Sequence, residues 1–252
     1  MVWAYQDTVQ GYLDPDREDR FFNLKRCVFC SGPMTANLFR ADRSPDWSRR
    51  LQRCIFCGWW QYAYLDDSTD HGRFYSVYGQ LKTLDLSDLS TPVSDVRSYL
   101  AARYESRFTV DPTLLEQTVA AVFRDVGYRA RVTARSGDSG IDVFLDGPNN
   151  SLIGVQVKRW KHAIDVEQVT ALTGALLING CTSGYFVTTS RFRPGAVKAA
   201  ELSSQLGLPV ELLDAQTFYR VLEIAQASIQ VEPNDPEMPW NRVTPTHFVC
   251  SE

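Results

Sequence analysis

Long apolar runs are missing from this sequence. No uninterrupted apolar stretch reaches the roughly 18 residues that a membrane-spanning helix needs. The N-terminus, MVWAYQDTVQGYLDPDRED, also lacks the basic and apolar regions of a signal peptide. These absences predict a soluble, cytoplasmic protein that does not act at a membrane. Its six cysteines should then be reduced or metal-bound rather than paired in disulfides.

Histidine is also scarce, with only His71, His162 and His247 in the chain. The tetrapeptide GDSG at 137–140 occurs around the serine of trypsin-like proteases, but no histidine context accompanies it here. The sequence therefore excludes a protease of that type. His162 follows a predicted strand and is a candidate for a phosphate contact, although a lone histidine in such a place is more often incidental.

The remaining composition is moderate, but the charge is distributed unevenly. The chain has 252 residues, 44% hydrophobic residues and a net charge of −4, which allows one domain with a core and a smaller module. Residues 25–57 carry seven basic and two acidic side chains, a net of +5, and residues 151–200 carry six and two, a net of +4. Residues 201–252 carry two basic and eight acidic side chains, a net of −6. This distribution favours a basic working face and an acidic back.

Four of the cysteines form two C-x-x-C pairs, Cys27 with Cys30 and Cys54 with Cys57. The 23 residues between the pairs are typical of a zinc ribbon, and four thiolates close a tetrahedron around the ion. Such a zinc ion is structural because no position is left for substrate. A redox role is the alternative, and two copies at this spacing disfavour it. Cys181 and Cys250 are left over and are predicted to be inert.

The residues between the two cysteine pairs are predicted to form a basic loop that contains Trp47. This loop would either contact phosphate or be merely solvated. If it contacts nucleic acid, the contact residues would be Arg49, Arg50 and Arg53.

The stretch SGDSGIDVFLDGPNNSLIGVQVK at 136–158 organises the rest of the chain. Ile141–Leu145 and Leu152–Lys158 are apolar, β-branched runs separated by turn-forming residues, which predicts a β-hairpin. With Gly147 opposite Ser151, paired positions sum to 298, so Asp142 lies across from Gln156. Alternation then places Lys158 on the same face, where one hard cation could contact both strands. A solvated edge strand is the plain alternative.

A further carboxylate, Glu116, lies on a predicted helix that begins at Asp111 and Pro112 and ends near Gly127. Glu116 shares a side with Val119, Ala120 and Phe123, which are predicted to face the core. A carboxylate on that side needs a partner. The partner is either a metal ion or an arginine, Arg129 or Arg131.

Four motifs together resemble a known family: LLEQTVAAVFRDVGY, SGDSGIDV, GVQVKRWK and GYFVTTSRF, in this order. They are similar to the Mrr-type restriction endonuclease domain of the PD-(D/E)XK nuclease superfamily, over residues 109–220. The resemblance implies that Glu116 is the acid of the first helix, Asp142 the metal-binding aspartate and Lys158 the catalytic lysine. Gln156 stands where most of the superfamily has an acid, a variation known among Mrr domains.

The resemblance implies a metal-dependent endonuclease that hydrolyses DNA in prokaryotic restriction or anti-phage defence. Mg²⁺, or Mn²⁺ in its place, would be held by Asp142 and the Val157 carbonyl, with Glu116 and Gln156 contributing directly or through water. Nucleic acid would be contacted by basic residues near the hairpin, Arg159, Lys161 and Arg191. One site cuts one strand, so a homodimer or a partner subunit is expected. The alternatives are a DNA-binding adaptor that no longer cuts and a nuclease that is dormant until it assembles with a partner.

The rest of the chain predicts an α/β fold with a mixed central sheet flanked by helices. Strands are expected at Trp59–Leu65, Phe74–Leu81, Gly184–Thr189 and Leu208–Leu212. Helices are expected over 93–106, from Val166 to Leu176, at 194–206 and at 215–225. The predicted organisation is an N-terminal arm and zinc ribbon at 1–92, a connector helix at 93–108, the nuclease domain at 109–228 and an extended, Pro-rich acidic tail at 229–252.

Overall fold

The computed structural model describes residues 2–12, 24–40, 47–66, 73–133, 140–229, 238 and 240. The chain divides into two compact units. One contains Met1–Leu84 and Ile229–Glu252, and the other contains Asp85–Ser228. Most of the GDSG tetrapeptide, Cys250 and most of the predicted tail lie outside the described residues.

The first unit is built on a five-stranded antiparallel sheet in the order β1-β5-β4-β3-β2. The strands are β1 (Trp3–Tyr12), β2 (Met34–Arg40), β3 (Trp47–Cys54), β4 (Trp60–Asp66) and β5 (Arg73–Leu81). The predictions of β4 and β5 are confirmed. The prediction of a basic loop between the cysteine pairs is wrong over most of its length, because Met34–Arg40 and Trp47–Cys54 are paired strands and the second also pairs with β4. Arg49 and Arg50 are consecutive and point to opposite faces of the sheet, so this segment lacks the alternation of polar and apolar residues that predicts a strand.

Tryptophan side chains form the core of this unit. Trp3, Trp59 and Trp60 are all buried, and the indole N–H of Trp3 donates to the carbonyl of Cys57 at 2.7 Å. Trp240, from the C-terminal segment, is also buried and packs edge-on against Trp60 with 5.8 Å between ring centroids. Residue 240 of the predicted tail is therefore part of the core of the first unit.

The second unit contains a mixed sheet in the order β10-β9-β8-β7-β6. β6, β7 and β8 pair antiparallel, whereas β8, β9 and β10 pair parallel. The strands are β6 (Arg129–Val132), β7 (Val143–Asp146), β8 (Leu152–Lys158), β9 (Ser183–Thr188) and β10 (Val210–Leu213). This arrangement confirms the predicted fold class, in which a hairpin is followed by parallel strands with helical connections.

Five α-helices accompany this sheet among the described residues: α1 (Val93–Ala102), α2 (Pro112–Asp125), α3 (Val166–Ile178), α4 (Pro194–Gln205) and α5 (Ala215–Ala227). Two short 3₁₀ helices span Tyr104–Phe108 and Pro148–Asn150. The predicted start of α2 is confirmed, because Asp111 caps it by accepting from the Thr113 N–H at 2.8 Å. α3 begins with a reciprocal capping box between Asp165 and Gln168.

A glycine pair allows α3 to pack closely on the sheet. Leu172, Leu176 and Phe186 are fully buried in the core cluster to which α3 contributes. A Cβ placed on Gly154 of β8 or on Gly184 of β9 would overlap the side chain of Leu176. The helix can therefore lie against these strands only where side chains are absent.

Within the described ranges, no helix is both long and apolar enough to cross a membrane.

Candidate active site and cysteine cluster

The register of the central hairpin decides which side chains can meet. Four pairs are observed, from Val143 with Val155 to Asp146 with Leu152, and each pair sums to 298. The predicted register is therefore confirmed within the strands. The turn closes through Pro148–Asn150, and the Gly147 N–H donates to the Ser151 carbonyl at 2.8 Å.

Asp142 departs from the predicted pairing. β7 begins at Val143, not at Ile141, and the Asp142 N–H donates to the carbonyl of Val155 at 2.8 Å. One carboxylate oxygen, Oδ2, accepts the backbone N–H of Val157 at 2.6 Å. Asp142 thus contacts β8 through its side chain at Val157, instead of facing Gln156 across a regular ladder. An irregularity of one residue at the end of a strand commonly re-aims a side chain in this way.

Thr133 holds the main chain of Asp142 by hydrogen bonds, on the side away from β8. No pattern in the sequence indicated this role. The Thr133 N–H donates to the Asp142 carbonyl at 2.9 Å, and its hydroxyl contacts the carbonyls of Ile141 and Asp142 at 2.9 and 3.1 Å. The backbone of Asp142 is therefore held from both sides, and the carboxylate is held at Val157. A side chain positioned in this way needs little rearrangement to act.

The main chain of β8 presents an oxygen to the same place. The N–H and C=O of one strand residue point toward the same neighbouring strand. Since the Val157 N–H is directed at the Asp142 carboxylate, the Val157 carbonyl faces that side too. Gln156 and Lys158 flank Val157, and both are half-buried. The structure thus brings Asp142, Gln156, Val157 and Lys158 to the end of the hairpin.

Lys158 has a neighbour that the sequence reasoning did not single out. Its ammonium nitrogen lies 4.5 Å from the ring centroid of Trp160, which is 37% exposed. An aromatic face attracts a cation at this distance. The spacing K-x-W in the sequence was the available signal. The Lys158 carbonyl accepts from the Thr189 N–H at 3.1 Å and from the Thr188 hydroxyl at 3.0 Å, which ties the end of β8 to β9.

Glu116 lies half-buried on α2, one turn before Val119 and Ala120, which are completely buried. α2 packs on β6, β7 and β8, so Glu116 belongs to an element that contacts the hairpin. Of the two arginines predicted as possible partners of Glu116, Arg131 forms an ion pair with Asp146 at 3.2 Å. The contribution of Glu116 to the site stays a prediction.

The predicted nucleic-acid contacts fall into different environments. Lys161 and Arg191 are exposed, whereas Arg159 is half-buried and donates to the carbonyls of Phe108 and Val110 at 3.5 and 3.2 Å. Arg159 therefore ties β8 to the start of the domain. Arg49, Arg50 and Arg53 on β3 are all half-buried.

The four cysteines predicted to hold zinc come together. Their sulfur atoms all lie within 4.8 Å of one another, with Cys27 and Cys57 at 3.6 Å and Cys30 and Cys54 at 3.4 Å. A zinc–sulfur distance of about 2.3 Å implies sulfur–sulfur separations of about 3.8 Å in a tetrahedron. Among the described residues this is the one group of three or more His, Cys, Asp or Glu that could hold a metal ion.

Two similar turns shape the cluster. The residue after each second cysteine has a positive φ, 58° at Ser31 and 76° at Gly58. The Phe29 N–H also points at the sulfur of Cys27, at 3.4 Å. The backbone folds around the sulfur atoms in both knuckles, so the geometry is suited to a bound ion.

The four thiols affect one another's pKa values in opposite directions. Hydrogen bonds with the other cysteines, that with Cys27 first, lower the pKa of the Cys54 thiol. Hydrogen bonds with Cys27, Cys30 and Cys54 raise the pKa of the Cys57 thiol. Burial lowers the pKa of Arg53, while its attraction to Cys54 and Cys57 opposes that effect. A guanidinium beside the cluster would offset part of the negative charge of four thiolates, so Arg53 has a role in the cluster itself.

The segment that contains the hairpin matches a known protein family. Residues 108–222 match the model of a restriction endonuclease family, the Mrr catalytic domain. This segment is a Mrr-type restriction endonuclease domain. It contains the whole hairpin, and the predictions of the family and of a nuclease domain are thereby confirmed.

A curated relative supports the assignment of the Mrr-type domain. This relative is the type IV methyl-directed restriction enzyme EcoKMrr of Escherichia coli strain K12, with 32% identity over 95 residues. The match covers 35% of this chain and 31% of that enzyme, so the chain spans about a third of the relative's length.

Proposed function

We propose that this chain is a metal-dependent endonuclease that hydrolyses phosphodiester bonds of DNA. The observation that carries the proposal is the contact of the Asp142 carboxylate with the N–H of Val157, between Gln156 and Lys158, inside a Mrr-type domain. The relative is named a methyl-directed restriction enzyme, which supports DNA as the substrate and restriction of foreign DNA as the role. Such a role would place the protein in the cytoplasm.

The donor atoms at the hairpin suit a hard cation. The Asp142 carboxylate and the Val157 carbonyl are oxygen donors of the kind that Mg²⁺ prefers, with Mn²⁺ as an alternative. Gln156 and Glu116 would complete the set directly or through water. When bound, a divalent ion polarises a phosphoryl oxygen and lowers the pKa of a bound water. Since Gln156 is neutral, Asp142 and Glu116 would supply the negative charge.

Lys158 would act on the water and the phosphate. As an ammonium ion it would position the attacking water and stabilise charge in the transition state, or as the neutral amine it would accept the proton of that water. Contact with the Trp160 ring keeps the amine at the end of β8 before substrate binds. Trp160 is therefore a positioning residue in this scheme.

The cysteine cluster would hold zinc in a structural role. Four thiolates and no water or substrate position fit a closed site. The ion would join the two knuckles that precede β2 and β4, so it would stabilise the sheet of the first unit.

Incubation of the purified protein with supercoiled plasmid and Mg²⁺ tests the function. Nicked or linear plasmid is expected, and Lys158→Ala should cut at least about 100-fold more slowly. Lys198→Ala is the matched control, because it removes an exposed lysine from α4. Intact plasmid with the wild-type protein, at any Mg²⁺ or Mn²⁺ concentration, would contradict the proposal.

The neutral Gln156 is the feature that favours a second candidate, an adaptor that binds DNA without cutting it. DNA binding together with an absence of cutting would support the adaptor. Cutting that appears only after a partner is added would support the dormant subunit.

A further inference from the structure

An open groove of about 870 Å³ lies beyond the carboxyl ends of β8 and β9. Its walls are the 3₁₀ helix that contains Arg107, the loop 161–163 after β8, the loop 189–194 after β9, and the start of α5. Lys161, His162, Arg191 and Arg193 all line it. The groove therefore concentrates basic side chains next to the strand that carries Gln156 and Lys158.

Hydrogen bonds between the two loops make the frame of the groove rigid. The Thr189 hydroxyl donates to the Trp160 carbonyl at 2.9 Å, and the Ser190 hydroxyl donates to the Lys161 carbonyl at 3.2 Å. The Ile164 N–H donates to the Arg191 carbonyl at 2.8 Å. Lys161 and Arg191 consequently project from main chain that is already fixed, which limits the entropy lost on binding.

Arg107 lines one side of the groove, and its guanidinium already has partners within the protein. Its guanidinium lies 3.6 Å from the ring centroid of Tyr104, donates to the Thr189 carbonyl at 3.1 Å and pairs with Glu105 at 3.0 Å. Arg193 similarly pairs with Asp165 at 3.3 Å. These two arginines support the groove, and their charge is partly neutralised.

Lys161 and Arg191 differ from them. Both are exposed, and within the described part of the chain the structure records no ion pair for either side chain. The acid of the groove, Asp214, is engaged as the cap of α5, where it accepts the Thr217 N–H at 2.8 Å. The Lys161 ammonium lies 5.8 Å from the Phe108 ring centroid, a contact that leaves its charge in place. Two cations without an ion pair among the described residues therefore line the open groove, where an anion from outside the domain can bind them.

We propose that this groove binds a backbone phosphate of the nucleic-acid strand that flanks the scissile phosphate, through Lys161 and Arg191. The proposal rests on the proposed function for the identity of the ligand. Two residues separate Lys158 from Lys161, so their Cα atoms lie at most about 10 Å apart. Phosphates along one DNA strand advance by about 3.4 Å each along the helix axis. With the reach of the side chains added to the backbone span, the bound phosphate would lie within several nucleotides of the cleavage point.

The test is the salt dependence of DNA binding without cutting. Affinity for a short duplex is measured in Mg²⁺-free buffer, between low and moderate salt, for wild type and for Lys161→Ala with Arg191→Ala. Loss of the two contacts should weaken binding about 10-fold per side chain. It should also lower the slope of log affinity against log salt by about 2. Lys161→Glu with Arg191→Glu should weaken binding further.

A matched control is Arg129→Ala with Arg131→Ala, which removes two exposed arginines from β6. Arg129 lies opposite Asp146 in the β6–β7 register, and Arg131 forms the ion pair with Asp146. Both lie at the other end of the hairpin from Lys158, so these changes should leave the slope unaltered. Thermal unfolding of each variant verifies that the protein still folds.

An unchanged slope and affinity in the folded Lys161/Arg191 variant would overturn the proposal, as would an equal loss in the Arg129/Arg131 control. The readout does not require cleavage, so the two claims can fail separately. A protein that binds through the groove but never cuts DNA would contradict only the nuclease. One that cuts with unaltered binding in the groove variant would contradict only the groove.

Discussion

At the scale of single residues, the site depends on how Asp142 is held. Its backbone is bonded to Val155 and Thr133, and its carboxylate accepts the Val157 N–H at 2.6 Å. The aspartate therefore reaches the residue between Gln156 and Lys158 from outside the regular ladder. Position 156 is an amide, so it adds no negative charge at this point.

Gln156→Glu is the residue-scale change that reports on a bound metal. The substitution restores an acid at the hairpin, so cutting should continue, and the ratio of rates with Mg²⁺ and Mn²⁺ should shift as the charge of the site rises. The measurement is the cleavage rate in each metal for wild type and variant. Complete loss of cutting in both metals, in a folded protein that still binds DNA, would show that Gln156 is not near the ion.

Thr133→Val tests the positioning of Asp142. The variant keeps the size and branching of the side chain and removes the hydroxyl that contacts the carbonyls of Ile141 and Asp142. Each lost hydrogen bond is worth about 1 kcal/mol, so a loss of cleavage rate of roughly 10-fold is expected, with DNA binding retained. A cleavage rate equal to that of the wild type would show that Thr133 does not position the aspartate.

At the scale of elements, α3 and β8 meet through a glycine. Gly154→Ala would place a Cβ against Leu176 and Ile141, and overpacking of this kind costs about 1 to 3 kcal/mol. Gly174→Ala is the matched control in α3, where an added Cβ meets no atom within 4 Å. That change should raise the free energy of unfolding by about 0.5 to 1 kcal/mol, since alanine favours a helix. Denaturant unfolding of both variants measures the change in the free energy of unfolding. Changes of the same sign in the two variants would contradict the packing of α3 on β8.

The cysteine cluster is predicted to make the first unit dependent on metal. Cys54→Ser should lose the ion because it removes one of the four sulfur atoms, and it should destabilise the sheet because Cys54 ends β3. Elemental analysis and thermal unfolding are the measurements, and Cys181→Ser, at a buried cysteine of the second unit, is the control for metal content. Zinc retained in full by Cys54→Ser would reject the site.

The elements of the second unit could be predicted because local signals agreed with the fold. Asp111 and Pro112 mark the start of α2, and the turn at 147–151 determines the hairpin register. Asp142 could not be placed correctly, because it leaves the ladder where it bonds to Thr133, a residue just after β6 that is distant in the sequence. β2 and β3 were missed because pairing across a sheet, not local alternation, made the arginine-rich segment a strand.

At the scale of the whole molecule, the described residues contain one candidate hairpin site per chain. Under the proposed function one site would cut one DNA strand, so double-strand cleavage would need two chains or two successive binding events. Successive events would give nicked plasmid before linear plasmid, and cleavage by two chains would make the linear fraction rise more steeply than in proportion to protein concentration. A linear product that appears without nicked plasmid and in proportion to protein would contradict this stoichiometry.

The most direct measurement of the central claim compares two aspartates of the same hairpin. Asp142→Ala removes the carboxylate at Val157, while Asp146→Ala removes an exposed carboxylate from the other end of β7. Plasmid cleavage with Mg²⁺ is measured beside DNA affinity and thermal stability for both variants. We expect Asp142→Ala to bind DNA and stay folded but to lose cutting, and Asp146→Ala to cut at close to the wild-type rate. Asp142→Ala cutting at the wild-type rate would contradict the account.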